Sequence, residues 1–160
     1  MACVEAPDAD DEDADARALA RYASALADGI GAAIGPWVIA AVERRSSGLD
    51  LSEEARAAAE VARQEVGGAV RELLALDVDA QPTTPLALVR GAVRYPTAVL
   101  TAAGVPPVGR DPVAAEAFPD DPYDLTPGSL ADLAPDLVEA GIVWGAAKAH
   151  TVLRRRRGKP

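Results

Sequence analysis

Residues 51–76 place small apolar side chains at helical spacing across seven turns, and this pattern constrains the fold more than any other. Residues three and four apart lie on one side of an α-helix, whereas Glu60 and Arg63 fall on the opposite side. Asp50 and Glu53 are expected to form a capping box at its start. Because a helix with one apolar face buries that face, the segment predicts packing against other helices. The apolar positions are Leu51, Ala55, Ala58, Ala62, Val66, Ala69, Leu73 and Leu76.

The same spacing continues on both sides of this segment. Before it, the pattern predicts helices over residues 14–33 and 36–46, or one helix kinked at Pro36, since proline removes a backbone donor. After it, ten of the 13 prolines lie between positions 82 and 135, and Thr84, Asp111 and Thr126 each precede one as expected N-caps. The predicted later helices are 85–94, 97–103, 112–117, 127–133 and about 135–156.

These elements predict an all-α, single-domain helical bundle. A chain of 160 residues fits one domain, and no segment shows strand periodicity. Hydrophobic residues make up 49% but aromatic residues only 4%, so 36 alanines must supply much of the core through close helix contacts. Gly67-Gly68 weakens the middle of the helix over 51–76 by up to about 2 kcal/mol relative to Ala-Ala, so we expect close packing there. The expected organisation is a disordered acidic tail at 1–13, a helical domain at 14–153 and a basic tail at 154–160.

Charge is segregated along the chain. Residues 1–15 carry seven acids and no base, residues 111–143 carry eight acids and no base, and residues 144–160 carry six bases and no acid. The net charge is −9. This pattern is typical of interacting faces and tails, and it names no reaction.

Several classes of protein are disfavoured by what the sequence contains. Cys3 is the only cysteine, which excludes an intrachain disulfide, and the acidic N-terminus lacks the pattern of a secretory signal. The longest uncharged apolar stretch, residues 29–42, is shorter than the roughly 20 residues of a bilayer span and predicts a buried helix. We therefore expect a cytoplasmic protein without a membrane contact.

One acidic motif raises the alternative of a metal-dependent enzyme. Asp120, Asp121 and Asp124 spell DDxxD within the acidic loop 116–124, a pattern that holds Mg²⁺ in prenyl-diphosphate synthases when it lies on a helix. Pro119 and Pro122 place it in a loop instead, where Asp side chains commonly bond local backbone N–H groups. The sequence has no Walker loop or HExxH motif either, so we predict no catalytic residue, metal or cofactor.

The C-terminal basic cluster is the strongest candidate for a binding site. Its arginines could contact phosphate in nucleic acid, complete the helix dipole, or neutralise the acidic segment 111–139. The acidic remainder of the chain and the lack of interleaved aromatic residues disfavour nucleic acid. The predicted partner-binding residues are Arg154, Arg155, Arg156, Arg157, Lys159, Trp144, Lys148 and His150.

The final helix carries further candidates. Trp37 and Trp144 lie on apolar helical faces and are expected to be buried. Gly141, Gly145 and Ala149 form a small-residue stripe, against which another helix is expected to pack. His150, the only histidine, is expected at the surface or at an interface.

Two blocks resemble short actinobacterial proteins that have no assigned activity. They are Pro122-Tyr123-Asp124-Leu125-Thr126-Pro127 and Val143-Trp144-Gly145-Ala146-Ala147-Lys148-Ala149, and the resemblance covers about residues 84–156. It implies a distinct helical domain and no particular chemistry. From the residues we predict a non-enzymatic interaction or regulatory protein whose partner is another protein, with self-association left open.

Overall fold

The computed structural model describes residues 9–158, which form α-helices and no strand. The predicted all-α bundle is confirmed. Single 3₁₀ turns lie at Gly91–Val93 and Leu130–Asp132. The α-helices are α1 (Ala9–Arg45), α2 (Ser52–Ala75), α3 (Pro85–Arg90), α4 (Arg94–Ala102), α5 (Pro112–Ala117) and α6 (Leu137–Arg157).

Helix α1 is one helix that runs through Pro36. Proline cannot donate to the carbonyl of Ala32, but both residues lie on the exposed side, where solvent can hydrate that carbonyl. The helix ends where Ser47 and Gly48 adopt positive φ angles of 54° and 81°. The predicted C-terminal end near residue 46 is therefore confirmed.

The N-terminal boundary of α1 corrects the sequence prediction. Residues 9–13 were expected to be disordered, yet they form the first turns of α1. Asp10, Asp11 and Glu12 lie in the first turn, where carboxylates interact favourably with the positive end of the helix dipole. Charge composition alone does not reveal this compensation. The rest of the expected tail, residues 1–8, lies outside the described residues.

Close approach between α1 and α2 forms the centre of the core. A Cβ at Gly67 would lie 3.6 Å from the Cα of Gly31, and a Cβ at Gly35 would lie 3.7 Å from the carbonyl oxygen of Ala59. The expected close packing at Gly67 is thus confirmed, while Gly68 faces open space. The buried α1 residues include Leu26, Ile30, Ile34, Trp37, Val38, Ala41 and Val42, which confirms the buried position of Trp37.

Helix α6 packs on α1 through Leu137 and Trp144, both buried. A Cβ at Gly29 would lie 2.6 Å from Leu137 Cδ2, so a larger residue would force the buried Leu137 side chain to shift. Within residues 9–158, no helix of this chain packs against the small-residue stripe, where the sequence predicted one. Gly141 contacts Leu130 of the 3₁₀ turn, and no described neighbour lies within 4 Å of a Cβ at Gly145.

Helix caps explain the short elements of the second half. Thr84 accepts a hydrogen bond from Ala87 N at 3.3 Å, and Asp111 accepts one from Val113 N at 2.9 Å, as predicted. The predicted helix at 127–133 shrinks to the 3₁₀ turn, whose N-cap is Ser129 rather than Thr126. The capping box at the start of α2 is also wrong, because Asp50 accepts from Ser52 instead.

By length and composition, α1 contains one stretch apolar enough to cross a membrane, and half of that stretch is buried inside the bundle. Its buried members pack against the other helices, as in the core helix of a folded domain. The prediction that residues 29–42 lie in a buried helix is confirmed.

Replacing Gly68 by Ala should stabilise the fold. Its site is exposed and helical, so alanine gains up to about 1 kcal/mol of helix propensity without a clash. The expected rise in Tm is about 2–4 °C for a domain of this size, measured by thermal unfolding. Gly29→Ala is the matched control, because its Cβ would clash with Leu137 and cancel the gain. Equal stabilisation by both variants would contradict the close contact between Gly29 and Leu137.

Candidate functional site

The acidic loop is organised around a buried carboxylate. Asp121 is 1% exposed, and both of its oxygens accept hydrogen bonds from Leu125 N, at 2.9 and 2.8 Å. The backbone N–H and the hydroxyl of Thr126 donate to the Oδ2 atom, each at 2.7 Å. Asp121 therefore closes the loop on itself, because a buried carboxylate is tolerated when donors surround it.

Further bonds fix this loop to the body of the bundle. Arg45 Nε donates to the carbonyl oxygen of Tyr123 at 3.0 Å, and the Tyr123 hydroxyl donates to the carbonyl oxygen of Val105 at 2.6 Å. The Tyr123 side chain is buried. The loop is thus held at both its backbone and its aromatic ring.

The three DDxxD carboxylates do not converge. Asp121 points inward, whereas Asp120 and Asp124 are exposed, and Asp124 adopts a positive φ of 56°. Among residues 9–158, no group of three His, Cys, Asp or Glu side chains is arranged to hold a metal ion. The oxygens of Asp121 are already occupied by backbone and hydroxyl donors, which leaves them poorly placed to coordinate Mg²⁺.

The basic cluster of α6 joins the two ends of the bundle. Arg154 Nη1 lies 2.9 Å from Asp15 Oδ2 in α1, and His150 Nδ1 lies 3.6 Å from the same oxygen. The paired Arg154 and Asp15 atoms are inaccessible to solvent and form an ion pair without an aligned hydrogen bond. Arg154 is therefore a structural residue that ties α6 to α1.

Arg155 forms a second anchor. Its Nη1 atom donates to Asp77 Oδ1 at 2.7 Å and to Asp79 Oδ2 at 3.1 Å, in the loop after α2. The hydrogen bond from Arg155, followed by the one from the backbone N–H of Asp79, lowers the pKa of Asp77 below its usual value of 3.8. Its hydrogen bonds to the carboxylates of Asp77 and then Asp79 raise the pKa of Arg155.

The basic cluster does pair with carboxylates of the protein itself, but the predicted partner, segment 111–139, is wrong. The carboxylates that pair with Arg154 and Arg155 come from α1 and the loop after α2, and no described ion pair joins them to segment 111–139. Arg156 and Arg157 are exposed and form no ion pair with a described residue. Lys159 lies outside the described residues.

Two other predicted binding residues also face inward. Trp144 is buried, as its apolar face predicts, and so cannot serve as an exposed contact. Lys148 Nζ lies 5.2 Å from the Trp144 ring centroid and donates to Gln81 Oε1 at 2.6 Å. Both residues therefore help to dock α6 on the bundle.

A cleft of about 580 Å³ lies between the first turns of α1, the end of α2 and the end of α6. Glu12, Asp13 and Asp15 line one side, and Arg154 and Arg155 line the other. Both arginines already pair with the protein's own carboxylates, so neither is a free cation for a ligand in the cleft.

The outward face of α6 is the main feature that the sequence interpretation missed. Val138, Ile142 and Leu153 are 40%, 65% and 53% exposed, and Gly145 and Ala149 lie between them on the same side. These five residues are called the α6 outer face. Helical periodicity places them on one side of α6, turned away from the buried Leu137 and Trp144. Because α6 carries apolar residues on both sides, its helical periodicity could not show which side is exposed.

An apolar groove continues this face toward α3. It has a volume of about 310 Å³ and is lined by Leu86, Leu130, Val138 and Ile142 among others. The groove and the α6 outer face thus form one surface, and exposed apolar surface of this kind commonly marks an interaction site.

Comparison with protein-family models, curated proteins and solved structures finds no match for this chain. The resemblance of residues 84–156 to short actinobacterial proteins stays a prediction.

Asp121→Asn should destabilise the protein strongly. The amide would turn a donor toward N–H groups that now donate to Asp121, and each buried group left unsatisfied costs about 1–3 kcal/mol. Urea unfolding of the variant measures this loss. Asp120→Asn is the matched control, because Asp120 is exposed, and it should change stability by less than about 0.5 kcal/mol. Similar stabilities for both variants would show that Asp121 does not organise the loop.

The Asp77–Arg155 pair should add acid sensitivity. A carboxyl whose pKa is lowered on folding stabilises the fold above its unfolded pKa, here 3.8, and loses that contribution as the pH falls through the folded value. Asp77→Asn should therefore show a smaller loss of stability between neutral pH and about pH 3 than the original protein. Urea unfolding at a series of pH values measures the difference. Parallel pH profiles would contradict the ion pair.

Proposed function

We propose that this protein is a non-enzymatic interaction protein that presents the α6 outer face to a protein partner. The observation that carries the proposal is the exposure of Ile142 at the middle of an uncharged helical face. Between Glu139 and Arg154, the only fully charged side chain of α6 is Lys148, which is bonded inward to Gln81. Large apolar residues on a face without charge are typical of the buried centre of an interface.

The other proposals gain less support from the same structure. A metal-dependent enzyme would need the carboxylates of loop 116–124, but Asp121 is occupied in closing that loop. A nucleic-acid-associated protein would need the arginine cluster, but Arg154 and Arg155 pair with carboxylates. Arg156 and Arg157 would give a salt slope of only about −1.8 on duplex DNA, at about −0.9 for each phosphate contact.

The proposal is tested by photo-crosslinking in cells that produce the protein. A photoreactive residue at Ile142 should yield a covalent adduct with another polypeptide, because the partner covers this face. The matched control is a photoreactive residue at Val61, which is 46% exposed on α2 and should yield no adduct. Ala149→Glu, on the same α6 face, should abolish the Ile142 adduct by placing a charge in the contact.

Two results would contradict the proposal. One is the absence of an adduct from Ile142, or equal adducts from Ile142 and Val61. The other is salt-dependent DNA binding that disappears when residues 154–160 are removed, which would favour the nucleic-acid alternative instead.

A further inference from the structure

We infer that the α6 outer face binds a second copy of this chain, with the two α6 helices antiparallel about a two-fold axis. This inference rests on the proposed interaction function and identifies its partner. It depends on three observations: the exposed apolar face, the order of large and small residues along it, and the charges at its two ends.

The order of residues is self-complementary when the axis passes between Gly145 and Ala146. Antiparallel pairing then places Val138 level with Leu153 of the second copy, and Ile142 level with Ala149 of the second copy. At these two levels, the larger side chains of Leu153 and Ile142 face the smaller side chains of Val138 and Ala149. At the centre, Gly145 has open space beside it and allows the two backbones to approach closely. A two-fold interface requires this kind of self-complementary surface.

The charges at the ends of α6 favour the antiparallel arrangement. Glu139 lies on the outer side near the N-terminal end, and Arg156 and Arg157 lie near the C-terminal end. In the antiparallel pair, Glu139 lies about one helical turn from Arg156 of the second copy, within reach of the long arginine side chain. A parallel pair would instead place arginine clusters of the two copies side by side and repel.

The groove beside α6 extends the contact beyond two helices. Leu86 and Leu130 line it next to Val138, at the level where Leu153 of the second copy would lie. The apolar stripe from Val138 to Leu153 spans about 22 Å at 1.5 Å per residue. Because the contact is limited to one helix pair and this groove, we expect weak dimerisation with micromolar affinity.

Analytical ultracentrifugation of the intact chain tests the inference across about 1 µM to about 1 mM protein. The expected result is a reversible shift from the monomer mass of 16.5 kDa to twice that mass. Ile142→Glu should raise the dissociation constant at least tenfold while leaving the helical circular dichroism unchanged, since Ile142 is 65% exposed. Val61→Glu, an exposed apolar position on α2, is the matched control and should dimerise as the original chain does.

Charge reversal tests the pairing of the ends. Glu139→Arg should weaken the dimer by opposing the arginines of the second copy, and Arg156→Glu should weaken it by removing a cation and opposing Glu139. The two changes in one chain should restore the dimer, because each copy then offers the reversed pair. Failure of the double variant to recover would overturn the proposed pairing.

Cysteine crosslinking tests the direction of the helices. In a chain with Cys3→Ser, Ala146→Cys should form an intermolecular disulfide, because the two copies of position 146 lie close to the axis. Val138→Cys should form none, because the two copies of position 138 lie at opposite ends of the antiparallel pair. Disulfide formation by both variants would indicate parallel helices and overturn the inference. A monomer at every concentration would also overturn it. If the Ile142 adduct in cells then contains a different protein, the proposed interaction function survives without self-association.

Discussion

The close approach of α1 and α2 is the contact on which the rest of the bundle depends. With so few aromatic residues, the core gains its apolar burial from many small side chains, and this works only when helix axes come near each other. Gly31 and Gly67 permit that approach at one level, and Gly35 and Ala59 permit it at another. Leu26, Ile30 and Ile34 then fill the space toward the later helices. The short helices α3 and α4 have little core of their own and pack onto α1 and α2.

Polar anchors complement that apolar centre where the chain lacks regular structure. The segment between α5 and α6 contains few helical residues, and Asp121 supplies bond acceptors that a helix would otherwise provide. Arg45 holds the same segment to the end of α1. Such a loop is specified by a few hydrogen bonds rather than by a broad apolar face, so its order depends on individual side chains.

The sequence predicted the helices well and the sites poorly, for physical reasons. Periodicity marks one buried face, so α2 and most of α1 were predictable, and local caps such as Thr84 and Asp111 identified short helices. Ion pairs such as Arg154 with Asp15 join distant segments, and no local pattern encodes their partners. The exposure of Ile142 was hidden for a related reason: where a helix carries apolar residues on two sides, only the position of its neighbours decides which side is covered.

The pairing of Asp15 with Arg154 has a consequence for how the chain is made. The first helix emerges from the ribosome long before the last one, and its acidic beginning lacks its cationic partner during synthesis. Leu137 and Trp144, which cover part of α1, arrive equally late. We therefore expect the start of α1 to stay incompletely packed until α6 is synthesised, because these contacts form only then.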